Sequence, residues 1–160
     1  GFFFESFNQA EFEKETNLSP VFVQDNHSRS IKGVLRGLHY QLPPKAQDKL
    51  LRVVKGEIFD VVVDIRKNSS TFGKWAGETL SEKNKKHIWI PKGFAHGFLV
   101  LSEIAEVIYK TTDYYAPQYE RCIRWDDPKL RINWNLKGVN LLLSKKDKKG
   151  ELIQNSKVFD

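Results

Sequence analysis

The stretch KLLRVVKGEIFDVVVDIR, residues 49–66, decides the fold class of this chain. It contains two runs rich in valine, leucine and isoleucine, which are typical of β-strands, and Lys55-Gly56 lies between them. A short glycine-containing break between two such runs is a hairpin signal. The sequence therefore predicts two strands here, joined near Lys55-Gly56.

Similar strand-like runs precede and follow this stretch. They lie at 21–30, 33–41, 75–81, 87–93, 94–102 and 105–115. Short strands with turns about every 8–12 residues indicate an all-β sandwich or barrel. Helical periodicity occurs in NQAEFEKET at 8–16, and the tail from about Asp126 predicts turns and short helical pieces that cover one end. A chain of 160 residues fits one domain, residues 1–160.

Composition and charge restrict the class of partner. The formal net charge of +6 suits an anionic partner, either a nucleic acid or a small phosphorylated ligand. No helix-turn-helix, zinc-finger or RNA-recognition pattern accompanies the basic runs at 83–86 and 145–149, so nucleic-acid binding is the weaker alternative. No apolar run approaches the roughly 18 residues of a transmembrane helix, and we expect no membrane partner. The single Cys122 cannot form an internal disulfide, which favours a reducing, cytoplasmic compartment.

The run VLRGLHYQ, residues 34–41, interrupts a strand pattern with two polar side chains around a glycine. In regular alternation Arg36 and His39 would face opposite sides of the strand. A β-bulge at Gly37 would turn both to one side, where they would line a pocket with a cation and an imidazole. The alternative is an interior histidine with satisfied hydrogen bonds and an Arg36 that extends outward. Spacing alone does not decide between the two.

A second histidine, His96, lies in the apolar run FAHGFLVL at 94–101. A lone histidine in such a run is usually structural, but two of them favour a shared pocket. Jelly-roll metal enzymes commonly use two histidines one residue apart plus a carboxylate. Here the position paired with His39 is Gln41, and the next acidic residue is Asp48, so we expect no metal.

Without a metal, a histidine in a sheltered pocket is suited to proton transfer near neutral pH. Its partners would be a proton donor, a cation for developing negative charge and a carboxylate that orients the ring. Tyr109, Lys49 and Asp147 could fill these roles. Each could equally be a packed tyrosine or a surface ion, because spacing alone does not bring them together.

These residues lie in segments that resemble the dTDP-4-dehydrorhamnose 3,5-epimerase family. In chain order the segments are GFFFESF, QDNHSRS, GVLRGLHYQ, AQDKLLRVVKGEIFDVVVDIR, TFGKW, WIPKGFAHGFLVLSE, YKTTDYYAP, IRWDDP and LSKKD. They extend over essentially the whole chain, which is far more specific than one short motif. The resemblance implies a cupin-type jelly-roll homodimer, without metal or other cofactor, that binds a dTDP-sugar.

The reaction that the resemblance implies is inversion of C3 and C5 of dTDP-4-dehydro-6-deoxy-D-glucose, in dTDP-L-rhamnose biosynthesis. The C4 ketone acidifies the hydrogens on both neighbouring carbons, so removal of one gives an enolate. By motif, the base is His39 in GLHYQ and its dyad partner is Asp147 in LSKKD. Tyr109 in YKTTDYY would be the proton donor, and Lys49 in DKLLRVV would stabilise the enolate.

The same matching implies a set of substrate contacts. They are Glu5, Gln24, Asn26, Arg36, His96, Glu120 and Lys146. Arg36 and Lys146 would meet the anionic part of the nucleotide, and Asp60 is a possible supporting group behind the substrate contacts. Two departures from the family pattern are visible: Gly1 stands first, without the arginine that normally precedes it, and Asp48 replaces a common glycine beside the catalytic lysine.

Three alternatives stay open. A relative with the same fold could invert only C3 or only C5, or move the ketone; the pair His39 and Tyr109 favours an epimerase, because reprotonation from the second face needs a separate acid. A sugar-nucleotide-binding module would use aromatic and arginine side chains but would not require the set His39, Asp147 and Tyr109. A metal-dependent cupin oxygenase is the third. The apolar segment GFFFESF could exchange between subunits, although its pattern alone does not show this.

Overall fold

The computed structural model describes residues 1–160, and most of its regular structure is β-strand. The elements are α1 (Gln9–Thr16), β1 (Gln24–Ile31), β2 (Val34–Gln41), β3 (Lys49–Lys55), β4 (Glu57–Asp64), β5 (Trp75–Ser81), β6 (His87–Ile90), β7 (Phe94–Val100), β8 (Ile104–Thr111), β9 (Glu120–Cys122) and β10 (Leu142–Leu143). Short 3₁₀ turns lie at Pro117–Tyr119, Asp147–Lys149 and Ile153–Asn155. No helix has the length and apolar character needed to cross a membrane.

Two sheets form the sandwich that the sequence predicted. The first has the strand order β1-β8-β3-β6, and the second has the order β10-β2-β7-β4-β5, with β9 paired to β2. Neighbouring strands are antiparallel except β10, which runs parallel to β2. The predicted helix and irregular tail are also confirmed.

Period-two alternation separates the inside of the sandwich from its outside. On β7, Phe98 packs with Leu51 of β3 in a buried cluster. This cluster is the core between the two sheets. Its neighbour Leu99 belongs to a second cluster, in which Trp134 and Ile153 of the C-terminal tail cover the outer face of the second sheet. Alternate residues of the second sheet therefore point either into the sandwich or toward the tail.

The predicted hairpin at Lys55-Gly56 is wrong. β3 pairs with β6 and β8 in the first sheet, whereas β4 pairs with β5 and β7 in the second. Gly56 has φ +74°, and a Cβ atom there would lie 2.0 Å from the Ile104 carbonyl oxygen, so the chain turns tightly as it passes between layers. The alternation of a single strand does not reveal which sheet supplies its neighbours, and this is why the pattern misled.

Helix α1 is short and polar, and its ends explain its boundaries. The Asn8 side chain accepts a hydrogen bond from the Glu11 N–H at the N-terminus, and Asn17 adopts a left-handed conformation at the C-terminus. Phe12 packs edge-on against Trp89 of β6 at a centroid distance of 5.2 Å. This aromatic contact holds the N-terminal segment against the first sheet.

Candidate active site

A cavity of about 350 Å³ opens between the two sheets. Its polar lining consists of Asn26, His27, Ser28, Arg36, His39, Gln41, Gln47, Lys49, His96, Tyr109, Tyr115, Glu120, Ser144, Lys146 and Asp147. Every residue predicted to be catalytic is in this set, together with most of the predicted substrate contacts. The volume falls in the range of small-molecule sites, about 300–1,000 Å³.

A bulge in β2 aims two of these side chains into the cavity. Against β7, Arg36 pairs with Phe98 and His39 pairs with His96, so two residues of β2 oppose Gly97. Gly37 has φ +124°, and a Cβ atom there would lie 2.5 Å from the Gly97 Cα atom. Only glycine fits this conformation and this close approach. Of the two alternatives that the sequence left open, the structure has the bulge at Gly37, and Arg36 and His39 both line the cavity.

His39 forms a dyad with Asp147. The distance from His39 Nε2 to Asp147 Oδ1 is 2.7 Å. The Gly37 N–H donates to the same oxygen at 3.0 Å, and the Ser144 hydroxyl donates to Oδ2 at 2.5 Å. Burial alone would raise the pKa of Asp147, but hydrogen bonds from His39, Ser144 and Gly37 outweigh it and lower the pKa to about 2.

The ionised Asp147 fixes the tautomer of the imidazole. A carboxylate only accepts hydrogen bonds, so His39 Nε2 must carry the proton in this contact. His39 Nδ1 is buried and has no hydrogen-bond partner. The lone pair at Nδ1 is therefore free to accept a proton, as a general base requires.

Lys49 and Tyr109 approach the cavity from the first sheet. Burial lowers the pKa of Lys49 to about 8, against the opposing effect of the carboxylates of Glu120 and Asp60. Burial also raises the pKa of Tyr109, which keeps its hydroxyl protonated, while the charge of Arg36 acts in the opposite direction. The Lys49 Nζ atom lies 6.0 Å from the centroid of the Tyr109 ring. A cation and a proton donor thus stand next to each other.

His96 has its own buried carboxylate. Its Nε2 atom lies 2.8 Å from Asp60 Oδ2, and Asp60 is completely buried in β4. This contact fixes the ring of His96 at the cavity wall, which supports the prediction that Asp60 acts from behind the substrate contacts.

Charged side chains line the rest of the cavity. Arg36 donates to the Ser30 hydroxyl from both Nε and Nη2, at 3.2 and 3.0 Å, which orients the guanidinium. Glu120 forms an ion pair with Lys146 and accepts a hydrogen bond from the Tyr115 hydroxyl at 2.9 Å. The arrangement offers cations for an anionic ligand near the dyad.

Two predicted substrate contacts are not in the cavity lining. Glu5 lies in the exposed N-terminal segment, where it accepts a hydrogen bond from Asn8 Nδ2 at 3.0 Å. Gln24 donates to Asn26 Oδ1 and accepts from the Tyr115 N–H, both at 3.0 Å. Gln24 therefore holds two groups of the site in place, and direct contact of Gln24 or Glu5 with a ligand stays a prediction.

The sequence did not predict His27, Ser28 and Gln41 as lining residues, and it missed three further residues that lie outside the strands. They are Ser144, which binds Asp147, and Tyr115 and Gln47, which line the cavity. For Ser144 a signal existed, because a serine three residues before an acidic residue is a common local capping arrangement. Tyr115 and Gln47 lie in connections between strands, and no periodic pattern marks them.

One group of potential metal ligands lies at the dyad. Ligand atoms of His39, Cys122 and Asp147 all lie within 4.8 Å of one another. However, burial raises the pKa of the Cys122 thiol to about 12, and the His39 and Asp147 atoms already bind each other. A metal here would replace the hydrogen bond that orients the imidazole. The expectation that the protein uses no metal stays a prediction.

Comparison with known proteins places this geometry in a family. Residues 1–155 match the family model described as dTDP-4-dehydrorhamnose 3,5-epimerase. A dTDP-4-dehydrorhamnose 3,5-epimerase of Pseudomonas aeruginosa is 58% identical over 159 residues, which cover 99% of this chain and 87% of the relative. One from Methanothermobacter thermautotrophicus is 51% identical and covers 99% of this chain and 85% of its own length.

Solved structures are similar over the same length. The dTDP-6-deoxy-D-glucose-3,5-epimerase of Legionella pneumophila, in complex with dTDP-4-keto-L-rhamnose, has a TM-score of 0.92 at 51% identity, covering 98% of this chain and 82% of that one. A 3′-monoepimerase of Streptomyces bikiniensis, in complex with dTDP-quinovose, has a TM-score of 0.88 at 31% identity. The match covers 94% of this chain and 75% of that one. These likenesses confirm the predicted cupin-type jelly-roll fold.

Proposed function

Because the chain belongs to the dTDP-4-dehydrorhamnose 3,5-epimerase family, we propose that the cavity between its sheets is the epimerase active site. The chain acts as an isomerase of dTDP-L-rhamnose biosynthesis, on dTDP-4-dehydro-6-deoxy-D-glucose, in a family whose reaction uses no cofactor. The observation that carries the assignment of the site is the His39–Asp147 dyad, which has an unpartnered ring nitrogen and lines the same cavity as Lys49 and Tyr109.

The proposed mechanism follows from these positions. His39 Nδ1 removes a proton from a carbon next to the C4 ketone, and the C–H electron pair moves into the enolate. The Lys49 ammonium stabilises the negative charge that develops on the ketone oxygen. Tyr109 then donates its phenolic proton to the opposite face of the same carbon, which inverts it. Asp147 remains ionised and holds the imidazolium in place.

The remaining side chains would bind the substrate. Arg36 and Lys146 are suited to the diphosphate, since both carry permanent charge at the cavity wall. His96, held by Asp60, would donate to a sugar oxygen. Asn26 and Glu120 would contact the sugar or the nucleoside, and Gln24 would support Asn26 or share its contact.

We also propose that the enzyme is a cytoplasmic homodimer that acts without nucleic acid or membrane. The N-terminal segment supports a dimer, because Phe3 is 98% exposed and Phe2 is 77% exposed on one chain. Glu5 lies in this segment, and exchange of the segment between subunits would bring it to the partner's site. The lone Cys122 is consistent with a reducing compartment.

A single-centre epimerase is the second candidate, since the 3′-monoepimerase from Streptomyces bikiniensis has a similar fold. The two functions differ in the number of carbons that exchange hydrogen with solvent. Incubation with dTDP-4-dehydro-6-deoxy-D-glucose in deuterated water, followed by NMR, is the direct test. We expect deuterium at both C3 and C5.

The His39→Asn variant supplies the control for the site. It should lower the rate of exchange at both carbons by about 10²- to 10⁴-fold, the usual contribution of a positioned base, with an unchanged circular dichroism spectrum. Label at one carbon in the wild type would assign a single-centre epimerase. Saturable binding without label would point to a sugar-nucleotide-binding protein, and full exchange by the variant would remove His39 from the mechanism.

A further inference from the structure

Two inversions at one site require the base and the acid to be reset between them. Each inversion moves one proton from a sugar carbon to His39 and one proton from Tyr109 to that carbon. After the first inversion His39 is an imidazolium and Tyr109 is a phenolate, so neither can repeat its role. One proton must therefore leave His39, and another must reach Tyr109, while the sugar remains bound.

We propose that Glu120 relays the proton away from His39 between the two inversions, a role that rests on the epimerase function proposed above. The first reason is that the Asp147 side of the imidazole offers the proton no exit. Nε2 is hydrogen-bonded to Asp147, a residue that is only 3% exposed and whose carboxylate already accepts hydrogen bonds from Gly37 and Ser144. The low pKa of Asp147, about 2, also makes this carboxylate a poor proton acceptor.

The second reason is the position of the Glu120 carboxylate. Its Oε1 atom lies 3.7 Å from His39 Nδ1, the unpartnered nitrogen. Glu120 begins β9 and pairs with Gln41 of β2, two residues from His39 along the strand, so the backbone holds the Glu120 and His39 side chains near each other. A small rotation of either side chain, or one bridging water, brings them within proton-transfer range.

The third reason is that Glu120 connects the buried base to the surface. The Glu120 side chain is only 15% exposed, but its Oε2 atom accepts a hydrogen bond from the Tyr115 hydroxyl and pairs with Lys146. Tyr115 is 55% exposed and the Lys146 side chain is 49% exposed. A proton on Glu120 is thus one hydrogen bond from groups that water reaches.

The step balances without any additional reactant. The Nδ1–H bond of the imidazolium breaks as an Oε1–H bond forms on Glu120, which restores the neutral base. The Glu120 carboxylic acid then releases the proton to water beside Tyr115. The Tyr109 phenolate takes one proton from water in the cavity, so the net transfer is one proton from His39 to Tyr109.

Glu120→Gln removes the proton acceptor and preserves the shape of the side chain. In deuterated water, the ratio of singly to doubly labelled sugar should rise at least about tenfold over the wild type, because a positioned proton-transfer group contributes about 10²- to 10⁴-fold. The first inversion, which does not need the reset, should be slowed less than the second. Glu106→Gln is the matched control, because Glu106 pairs with a different histidine: its Oε2 atom lies 3.0 Å from His27 Nε2. The ratio of singly to doubly labelled sugar in this variant should match that of the wild type.

A residue that only binds substrate would slow both inversions together and leave the ratio unchanged, which would overturn the relay. Formate gives a second test with Glu120→Ala: added formate should restore double labelling in proportion to its concentration, and absence of this rescue with the native fold would also overturn it. If Glu120→Gln fails to fold by circular dichroism, the formate experiment decides. Failure of the epimerase assignment itself is seen separately, as an absence of label in the wild type.

Discussion

Among the residues of the site, Lys49 is the one whose charge changes just above neutral pH. Burial in the cavity lowers its pKa to about 8, although the carboxylates of Glu120 and Asp60 act in the opposite direction. A lysine with this pKa is mostly protonated at pH 7 and loses its charge as the pH rises through 8. The proposed role of Lys49 depends on the charged form, since only an ammonium stabilises an enolate oxygen by its charge.

The pH profile of the free enzyme should show this ionisation. We expect kcat/KM to fall above about pH 8, approaching tenfold per pH unit, as Lys49 becomes neutral. Loss of the Tyr109 proton would occur at higher pH, because burial raises the pKa of that phenol above its usual value. The measurement is kcat/KM from pH 6 to 10 in buffers of constant ionic strength.

Two variants test whether Lys49 causes the fall of kcat/KM above about pH 8, the descending limb of the pH profile. Lys49→Arg keeps its charge over this range and should remove the limb, with a lower plateau because a guanidinium has a different shape. Lys49→Met should lower the plateau by about 10²- to 10³-fold, the usual loss for one group that stabilises an oxyanion. A limb near pH 8 that persists unchanged in Lys49→Arg would belong to another group.

Among the strands, the contact between β2 and β7 aims side chains for which we propose roles in catalysis and substrate binding. Gly37 and Gly97 face each other across these strands, and a Cβ atom on Gly97 would lie 2.6 Å from the Arg36 carbonyl oxygen and 3.2 Å from the Gly37 Cα atom. His39 and Arg36 flank this point on β2, and His96 flanks it on β7. Any displacement of the strands here moves all three side chains.

Gly97→Ala should therefore impair both stability and catalysis. The added methyl group would clash with backbone atoms of β2, so we expect the free energy of unfolding to fall by about 1–3 kcal/mol. Urea denaturation measures this loss, and kcat measured on the folded variant should fall as well. Gly73→Ala is the control: it has φ +75° but no atom within 4 Å of the added carbon, so it should cost stability and leave kcat unchanged. Wild-type kcat in Gly97→Ala would show that the strands tolerate displacement.

The same two strands show what local sequence can predict. The bulge at Gly37 was one of two alternatives that the sequence offered, because a glycine between two polar side chains is visible within one strand. The hairpin after Lys55 was wrong because strand pairing depends on the whole sheet. From spacing alone, the dyad could not be assembled: Asp147 lies 108 residues after His39, and only the family resemblance named it beforehand. Glu120 was named as a substrate contact, but its position beside His39 depends on the pairing of β9 with β2.

Across the whole chain, the C-terminal tail completes the proposed active site. Trp134 and Ile153 of the tail are buried on the outer face of the second sheet. Asp147 lies between them in the chain, and the Glu151 bridge to Ile123 ties this part of the tail to the end of β9. The apolar anchors on both sides hold the carboxylate at His39, so the stability of the tail and the activity of the dyad are coupled.

The exposed apolar side chains of the N-terminal region are expected to form a dimer interface. Phe3 is 98% exposed and Val21 is 73% exposed, and large exposed apolar side chains of this kind commonly mark an interface. We expect sedimentation equilibrium to give twice the mass of one chain. In a two-fold symmetric dimer Phe3→Ser removes two buried side chains, each worth about 1.5–3 kcal/mol, so the dissociation constant should rise by about 10²- to 10⁴-fold.

Phe72→Ser, at an exposed phenylalanine in the loop after β4, is the control and should leave the mass unchanged. A wild-type monomer at micromolar concentration would exclude the dimer, whereas a Phe3→Ser variant that stays dimeric would place the interface on another surface.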